Sequence, residues 1–270
     1  MKDSISSPRA KTARKGVYSA AGQLRAALFL LAGIAFFLTA WKLLSLRLNT
    51  DIILPPPETV LSRLLQITRT KGFWQALGAT TLRTLKGFAL SFILGAATAI
   101  PAGLSPSFRS FIKPLLSILR SVPVMSFILL AMLWFVTDTV PIFVCFLMVY
   151  PLVFANVLEG LGRVDKGLLE MGKIYNLSLA KRICHIILPS LTPFLIAAAN
   201  AGLGMAWKVT IAAEVLCQPR LAIGTRMQYA QINLETAQVL AWTAAAILLS
   251  ALCEKVIGGL ARRLAPEKRL

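Results

Sequence analysis

Two ionisable side chains, Lys208 and Glu214, lie inside an apolar run between Leu191 and Leu216. An ionisable group at membrane depth costs at least about 2.5 to 3.5 kcal/mol and usually faces a cavity or a partner. Six residues along a helix rotate a side chain by about 240°, so these two project from different faces. Both are therefore candidates for lining a polar path. For Lys208, extension of the ammonium group to the outer interface is an equal alternative.

Catalytic chemistry is not indicated elsewhere in the chain. His185, the one histidine, has no Ser, Cys or carboxylate at triad-like spacing, so we interpret it as an interfacial residue. A membrane enzyme needs clustered His, Asp or Glu near one interface. The sequence has no G-x-x-x-x-G-K-[ST] phosphate loop, so it does not bind ATP in that way. We expect no catalytic residue, no metal and no cofactor.

The four cysteines are far apart and show no C-x-x-C spacing, which disfavours a zinc site and a disulfide framework. Buried free thiols are the prediction for Cys145, Cys184, Cys217 and Cys253.

The composition indicates an integral membrane protein. Hydrophobic residues make up 57% of the 270 positions and charged residues 15%, with a mean hydropathy of +0.72, against about 25% charged residues in soluble domains. A span needs about 20 mostly apolar residues. The six windows that approach this requirement are Ala26 to Leu46, Gly87 to Leu104, Ser121 to Val136, Thr139 to Leu158, Leu191 to Leu216 and Thr236 to Cys253.

The net charge of +18 is explained by lipid rather than by nucleic acid, because the basic residues cluster at the ends of apolar runs. Most of them fall in alternate connecting segments, and the positive-inside rule then places both termini in the cytoplasm. We predict a basic tail at 1–25, a six-span domain at 26–258 with an inner loop at 159–190, and a second basic tail at 259–270.

The longest inner loop contains the charged stretch "LLEMGKIYNLSLAKRICHIILP", Leu168 to Pro189. Apolar residues recur in and just before it at helical spacing, which predicts an amphipathic helix. Such a helix either lies on lipid or docks to a partner.

The spacing within this loop resembles the E-A-A-x-x-x-G-x9-I-x-L-P loop of the membrane subunits of ABC importers, which docks onto the ATPase. The residues that carry the resemblance are Glu170, Met171, Gly172, Asn176, Leu177, Ile186, Leu188 and Pro189. Met171 and Gly172 replace the two alanines, and Asn176 replaces the glycine. Asn is among the few residues that readily take the left-handed conformation, so the turn is retained. Pro189 is expected in the first turn of the fifth span.

Further segments resemble the permeases of the nitrate, sulfonate and taurine importers: "TTLRTLKGFALSFILGAATAIPAGLS", "RSFIKPLLSILRSVPVMSFILLAMLWF" and "GMAWKVTIAAEVL". Lys208 departs from their usual pattern. The resemblance implies an all-α, type I ABC importer permease with six transmembrane helices in the inner membrane. It also implies a second copy, two ATPase subunits and an extracytoplasmic binding protein as partners.

The solute implied by this branch is a small anion such as nitrate, a sulfonate or taurine. Related importers carry neutral heterocycles or vitamin precursors, which stays an alternative. An alternative function is that of a stand-alone secondary transporter. Such a protein requires intramembrane carboxylates in a relay or inverted repeats.

Overall fold

The computed structural model describes residues 20–264 and is helical over most of this range. The predicted tails at 1–25 and 259–270 lie largely outside the described residues. The helices are α1 (Ala20–Leu48), α2 (Pro57–Thr68), α3 (Lys71–Leu104), α4 (Pro106–Ser121), α5 (Val124–Trp134), α6 (Val140–Gly162), α7 (Lys166–Ile174), α8 (Leu179–Arg182), α9 (Leu188–Cys217), α10 (Ile223–Ile232) and α11 (Thr236–Leu264). The all-α prediction is confirmed.

Within residues 20–264, five helices are long and apolar enough to cross a membrane, namely α1, α3, α6, α9 with the turn before it, and α11. The third predicted span, Ser121 to Val136, is not one straight helix. The chain instead forms α4 and α5, which meet at an angle of 100°. The bend follows from Pro123, because proline disfavours a helical conformation in the residue before it, and Val122 is extended with ψ 130°.

The second span is longer than predicted, because α3 begins at Lys71 rather than at Gly87. Its start is capped by Thr70, whose side chain accepts a hydrogen bond from the Phe73 amide. The 34 residues of α3 extend about 51 Å, well beyond the roughly 30 Å of a hydrocarbon core. The helix therefore carries Arg83, which precedes the predicted window Gly87 to Leu104, into the packed bundle.

The core forms where α6 packs between α3 and α9. Small residues of α3 let the helices approach closely, as the sequence predicts. A Cβ atom at Gly87 would lie 2.7 Å from the Cys145 Cβ, and one at Gly95 would lie 3.0 Å from the Val153 Cβ. The close approach of the α3 and α6 backbones therefore requires glycine at these two positions.

Helix α2 matches the short amphipathic helix that the spacing of its apolar residues predicts. Three hydrogen bonds join α1 to the beginning of α2 and to the loop before it. The Trp41 indole donates to the Pro55 carbonyl at 3.1 Å, the Ser45 hydroxyl donates to the Leu54 carbonyl at 2.8 Å, and the Lys42 ammonium donates to Glu58 at 2.6 Å. The hydrogen bond from Lys42 lowers the pKa of the Glu58 carboxyl.

We call the end of the bundle with α2 and α10 the α10 end, and the opposite end the α7 end.

The tight contact at Gly87 predicts that Gly87→Ala destabilises the bundle. The added methyl group would meet the Cys145 side chain and, at 2.9 Å, the Ile142 carbonyl oxygen, an overpacking that costs about 1–3 kcal/mol. Gly78→Ala is the matched control, because it lies in the same helix and its Cβ would meet nothing within 4 Å. Thermal unfolding of the purified protein in detergent should show a lower midpoint for Gly87→Ala alone. Equal midpoints in the two variants would contradict this packing.

Candidate functional site

The turn after α7 has the geometry that the sequence predicts for Asn176. This residue has a positive φ of 50°, and the Leu177 amide donates to the Gly172 carbonyl at 3.0 Å. A hydrogen bond from an amide to the carbonyl five residues earlier, with a left-handed residue between them, defines the Schellman motif at a helix C-terminus. The predicted left-handed conformation of Asn176 is confirmed.

Gly172 and Ile186 hold this loop together from the inside, since both are buried. A Cβ at Gly172 would lie 3.1 Å from the Ile186 side chain and 3.3 Å from Arg182. Glycine thus lets α7 pack directly on the segment that leads into α9. Two of the predicted coupling residues are therefore packing residues rather than contact residues.

The outward side of α7 is apolar and exposed. Met171, Ile174 and Tyr175 are 47%, 78% and 72% exposed, and Glu170 beside them is exposed as well. Large apolar side chains grouped on one surface are typical of contact sites for a protein partner or a membrane. This surface, which we call the α7 face, lies at one end of the bundle.

A π-helical turn, Ile183–Ile187, joins α8 to α9. The Leu188 amide donates to the Ile183 carbonyl five residues back, and Pro189 occupies the first turn of α9 as predicted. His185 is exposed, with its ring nitrogen 3.0 Å from the Lys181 carbonyl oxygen. The loop predicted at 159–190 therefore runs into α9 through an unbroken helical turn. Leu188, at the start of α9, is about half exposed.

The cysteines follow the prediction of burial only in part. Cys145 and Cys217 are buried in the bundle, whereas Cys184 in the π-helical turn is exposed and Cys253 is half-buried. The prediction was wrong for Cys184, because the turn exposes one side of the chain at the α7 end.

At the α10 end, Glu214 is fully buried and ion-paired. Its Oε1 atom lies 2.9 Å from the guanidinium of Arg83. The same guanidinium pairs with Asp138 and donates to the Leu221 carbonyl at 2.8 Å. Arg83 thus links α3 to α9, to the turn between α5 and α6, and to the loop before α10.

The second oxygen of Glu214 is also satisfied. It accepts hydrogen bonds from the Thr80 hydroxyl at 2.9 Å and from the Gly224 amide at 3.2 Å. Gly224 has no room for a side chain, since a Cβ there would lie 2.6 Å from the Glu214 Cβ. The Ile223 amide donates in turn to Thr80 at 3.0 Å. We call Arg83, Glu214, Asp138, Thr80 and Gly224 the ion network.

This network changes one expectation from the sequence. Glu214 was expected to line a path, but its carboxylate is enclosed and accepts three hydrogen bonds. Asp138, in the turn between α5 and α6, pairs with the same cation, Arg83. The signal that could have revealed the pair is electrostatic, because a carboxylate within a span calls for a cation on a neighbouring span.

Lys208 lies on the other side of α9 and is exposed, which confirms that it and Glu214 project from different faces. Within residues 20–264, no carboxylate is within salt-bridge distance of its ammonium group. Glu254 of α11 approaches α9 close to this position, because its carboxylate oxygen lies 3.1 Å from the position of a Cβ at Gly204. Gly204 is one helical turn before Lys208. On the side of α9 that faces α11, the Lys208 cation and the Glu254 carboxylate therefore lie about one helical turn apart along α9.

Comparison with known proteins identifies the family. Residues 87–270 match the family described as the binding-protein-dependent transport system inner membrane component. The chain belongs to this family. It is 30% identical over 240 residues to the taurine transport system permease protein TauC of Escherichia coli, an alignment that covers 86% of this chain and 87% of TauC.

Two further relatives of this permease lie in the same branch. The putative aliphatic sulfonates transport permease protein SsuC of Escherichia coli is 30% identical over 61% of this chain and 63% of its own length. The bicarbonate transport system permease protein CmpB of Synechococcus elongatus is 26% identical over 72% and 73%. The resemblance to the nitrate, sulfonate and taurine branch is confirmed.

Solved structures share the fold of this permease. A bacterial ABC transporter involved in the import of the acidic polysaccharide alginate aligns with a TM-score of 0.62 and 15% identity, covering 92% of this chain and 97% of that one. The same kind of transporter in complex with an alginate pentasaccharide-bound periplasmic protein aligns with a TM-score of 0.60 and 14% identity, over 90% and 96% of the two chains. The chain is thus a multi-pass inner-membrane permease of the ABC importer type.

The ion network predicts a large loss of stability in Glu214→Ala. Removal of the carboxylate leaves the Arg83 guanidinium buried without its main partner, and breaking a buried pair in this way costs about 3–5 kcal/mol. Asp138→Asn should cost less than about 1 kcal/mol, because the Asp138 side chain is 67% exposed. Thermal unfolding in detergent compares the two. A midpoint for Glu214→Ala equal to that of Asp138→Asn would count against the network.

Proposed function

We propose that this permease works as a pair of copies with two ATPase subunits and takes its solute from an extracytoplasmic binding protein. Both termini lie in the cytoplasm, and the α7 face docks into a groove of the ATPase. The observation that carries the proposal is the α7 face itself, apolar and exposed beside the left-handed turn at Asn176.

Docking to a soluble protein accounts for the α7 face better than lipid does. The exposed apolar residues are bordered by Glu170, and the following turn carries Lys181, which is also exposed. A helix that lies on lipid carries mainly Lys and Arg beside its apolar side, whereas here an acidic residue borders it. The positive-inside rule puts this basic loop on the cytoplasmic side, where ATP is hydrolysed.

The loop can pass ATPase motion to the bundle as a rigid body. Gly172 packs against the segment that enters α9, and the π-helical turn continues into α9 without a break. At its other end α9 is fixed to α3 and α10 through Glu214. A shift of α7 therefore moves α9 as one rod, and alternating access follows from its displacement against α6.

The solute that we propose is a small anion, of the sulfonate, nitrate or bicarbonate kind. Relatives of this chain are permeases for taurine, aliphatic sulfonates and bicarbonate. Lys208 supplies the supporting charge: it is exposed on a spanning helix and carries no salt bridge within the described range. We place it on the translocation path, where a passing anion offsets the cost of its charge.

Changes at the turn after α7 should uncouple the ATPase. Asn176→Val places a β-branched residue at a φ of 50°, where strain of about 1–3 kcal/mol distorts the turn. Asn176→Gly is the matched control, because glycine takes this conformation freely. We expect Val to lower solute-stimulated ATP hydrolysis of the reconstituted complex at least fivefold and Gly to leave it near wild type.

Glu170→Arg tests the contact itself rather than the turn. The side chain is exposed, so the variant should fold and insert normally while ATPase co-purification decreases. Undiminished co-purification and coupling in both Glu170→Arg and Asn176→Val would exclude docking at this face.

Replacement of the path cation predicts a selective loss of transport. Lys208→Gln should lower uptake of radiolabelled taurine and ethanesulfonate into proteoliposomes at least tenfold, with basal ATP hydrolysis unchanged, and Lys208→Arg should retain part of the uptake. Glu254→Gln serves as the comparison. If Lys208→Gln instead reduces the amount of assembled complex, and Glu254→Gln does the same, the lysine is a structural partner of that carboxylate.

A further inference from the structure

Helix α4 presents three distinct sides. The first is polar, and its members lie within about 120° of one another at 100° per residue; they are Arg109, Ser110, Lys113, Ser117, Arg120 and Ser121. The second side is buried against the bundle and comprises Ile112, Leu116 and Leu119. The third is apolar and exposed, with Phe111, Leu115 and Ile118 at 80%, 51% and 56%.

The polar side of α4 faces a groove whose other wall is the last two turns of α6. The groove has a volume of about 1040 Å³ and is lined by Arg109, Lys113, Arg120 and Arg163, with Glu159 as its carboxylate. Glu159 lies 3.7 Å from Arg163, within its own helix. Three serines of α4 also border the groove, so donors greatly outnumber acceptors.

One of these cations is held in position. The Arg120 guanidinium donates to the Pro151 carbonyl at 3.1 Å, which fixes it against α6. The remaining guanidinium hydrogens stay available, because an arginine carries five N–H donors. The groove thus has one cation anchored to α6, and Arg109, Lys113 and Arg163 also line it.

A site rich in guanidinium, ammonium and hydroxyl donors suits an oxyanion. Sulfonate, sulfate and phosphate groups each present three or more acceptor oxygens, and arginine binds them in bidentate fashion. This chemistry is shared by a free anionic solute and by the head group of an anionic lipid.

The geometry of α4 separates these two sources. The centre of the polar side lies about 150° around the helix from the centre of the exposed apolar side. Lipid in contact with Phe111, Leu115 and Ile118 therefore lies on the opposite side of α4 from the groove. A lipid whose acyl chains contact those apolar residues cannot place its head-group phosphate in the groove.

We propose that the groove between α4 and α6 is a vestibule for the anionic solute at the α7 end of the path. The inference rests on the proposed function and specifies the charge of the solute where it leaves the permease. The vestibule is larger than a small oxyanion, so it holds the solute hydrated and acts mainly by raising its local concentration. Binding is weak and falls as ionic strength rises.

The test measures binding of radiolabelled sulfate to the full-length permease in phosphatidylcholine nanodiscs, without ATPase. Arg109→Gln and Lys113→Gln are each expected to weaken sulfate binding at least threefold, and the double variant at least tenfold. Lys255→Gln is the matched control, an exposed basic residue of α11 outside the groove, and should bind sulfate like the wild type. Wild-type affinity in the double variant overturns the proposal.

Two further arms separate the possible outcomes. The first arm uses nanodiscs that contain phosphatidylglycerol. If the groove binds solute, the negative surface charge of this lipid lowers sulfate binding by the same factor in the wild type and in Lys255→Gln, and no further loss occurs. Specific displacement of sulfate by this lipid identifies a head-group site and overturns the proposal. Failure of wild-type proteoliposomes with ATPase to take up any anion overturns the proposed function separately, because sulfate binding is measured without transport.

Discussion

The burial of the Glu214 carboxylate is the constraint on which the arrangement at the α10 end depends. A carboxylate without water must have every lone pair satisfied, and here the partners come from α3, from the α10 start and, through Arg83, from the α5–α6 turn. Separation of α3 from α9 would leave the Glu214 carboxylate buried without its cation, and separation of the α10 start would remove the hydrogen bond from the Gly224 amide. The network therefore ties α3, α9 and the start of α10 together.

The ion network holds one end of α9, and the turn after α8 leads into its other end. The helix is continuous from the π-helical turn to the ion network, and its close packing against α6 follows from small residues on both sides. Packed helices shift as units rather than bend gradually. Under the proposed function, a force applied at the α7 face is delivered through α9 to the opposite end of the bundle, where Arg83 pairs with the exposed Asp138 of the α5–α6 turn.

Positive charge is exposed at two separate places on the bundle. Lys208 is exposed on α9, and the vestibule at the α7 end carries four cations against one carboxylate. These groups lie outside the ion network, where Arg83 is paired with two carboxylates. The protein thus separates structural charges, which are buried and paired, from charges that remain available to a passing anion.

The sequence by itself determined the class of the protein, the number of apolar segments, the helix in the loop between α6 and α9 and the left-handed turn at Asn176, because these depend on local composition and spacing. Only the tertiary structure decided the partner of Glu214, since Arg83 lies 131 residues away. It also decided that α4 is a helix whose polar side faces α6. Periodicity identifies the sides of a helix, but which neighbour each side meets depends on how the helices pack.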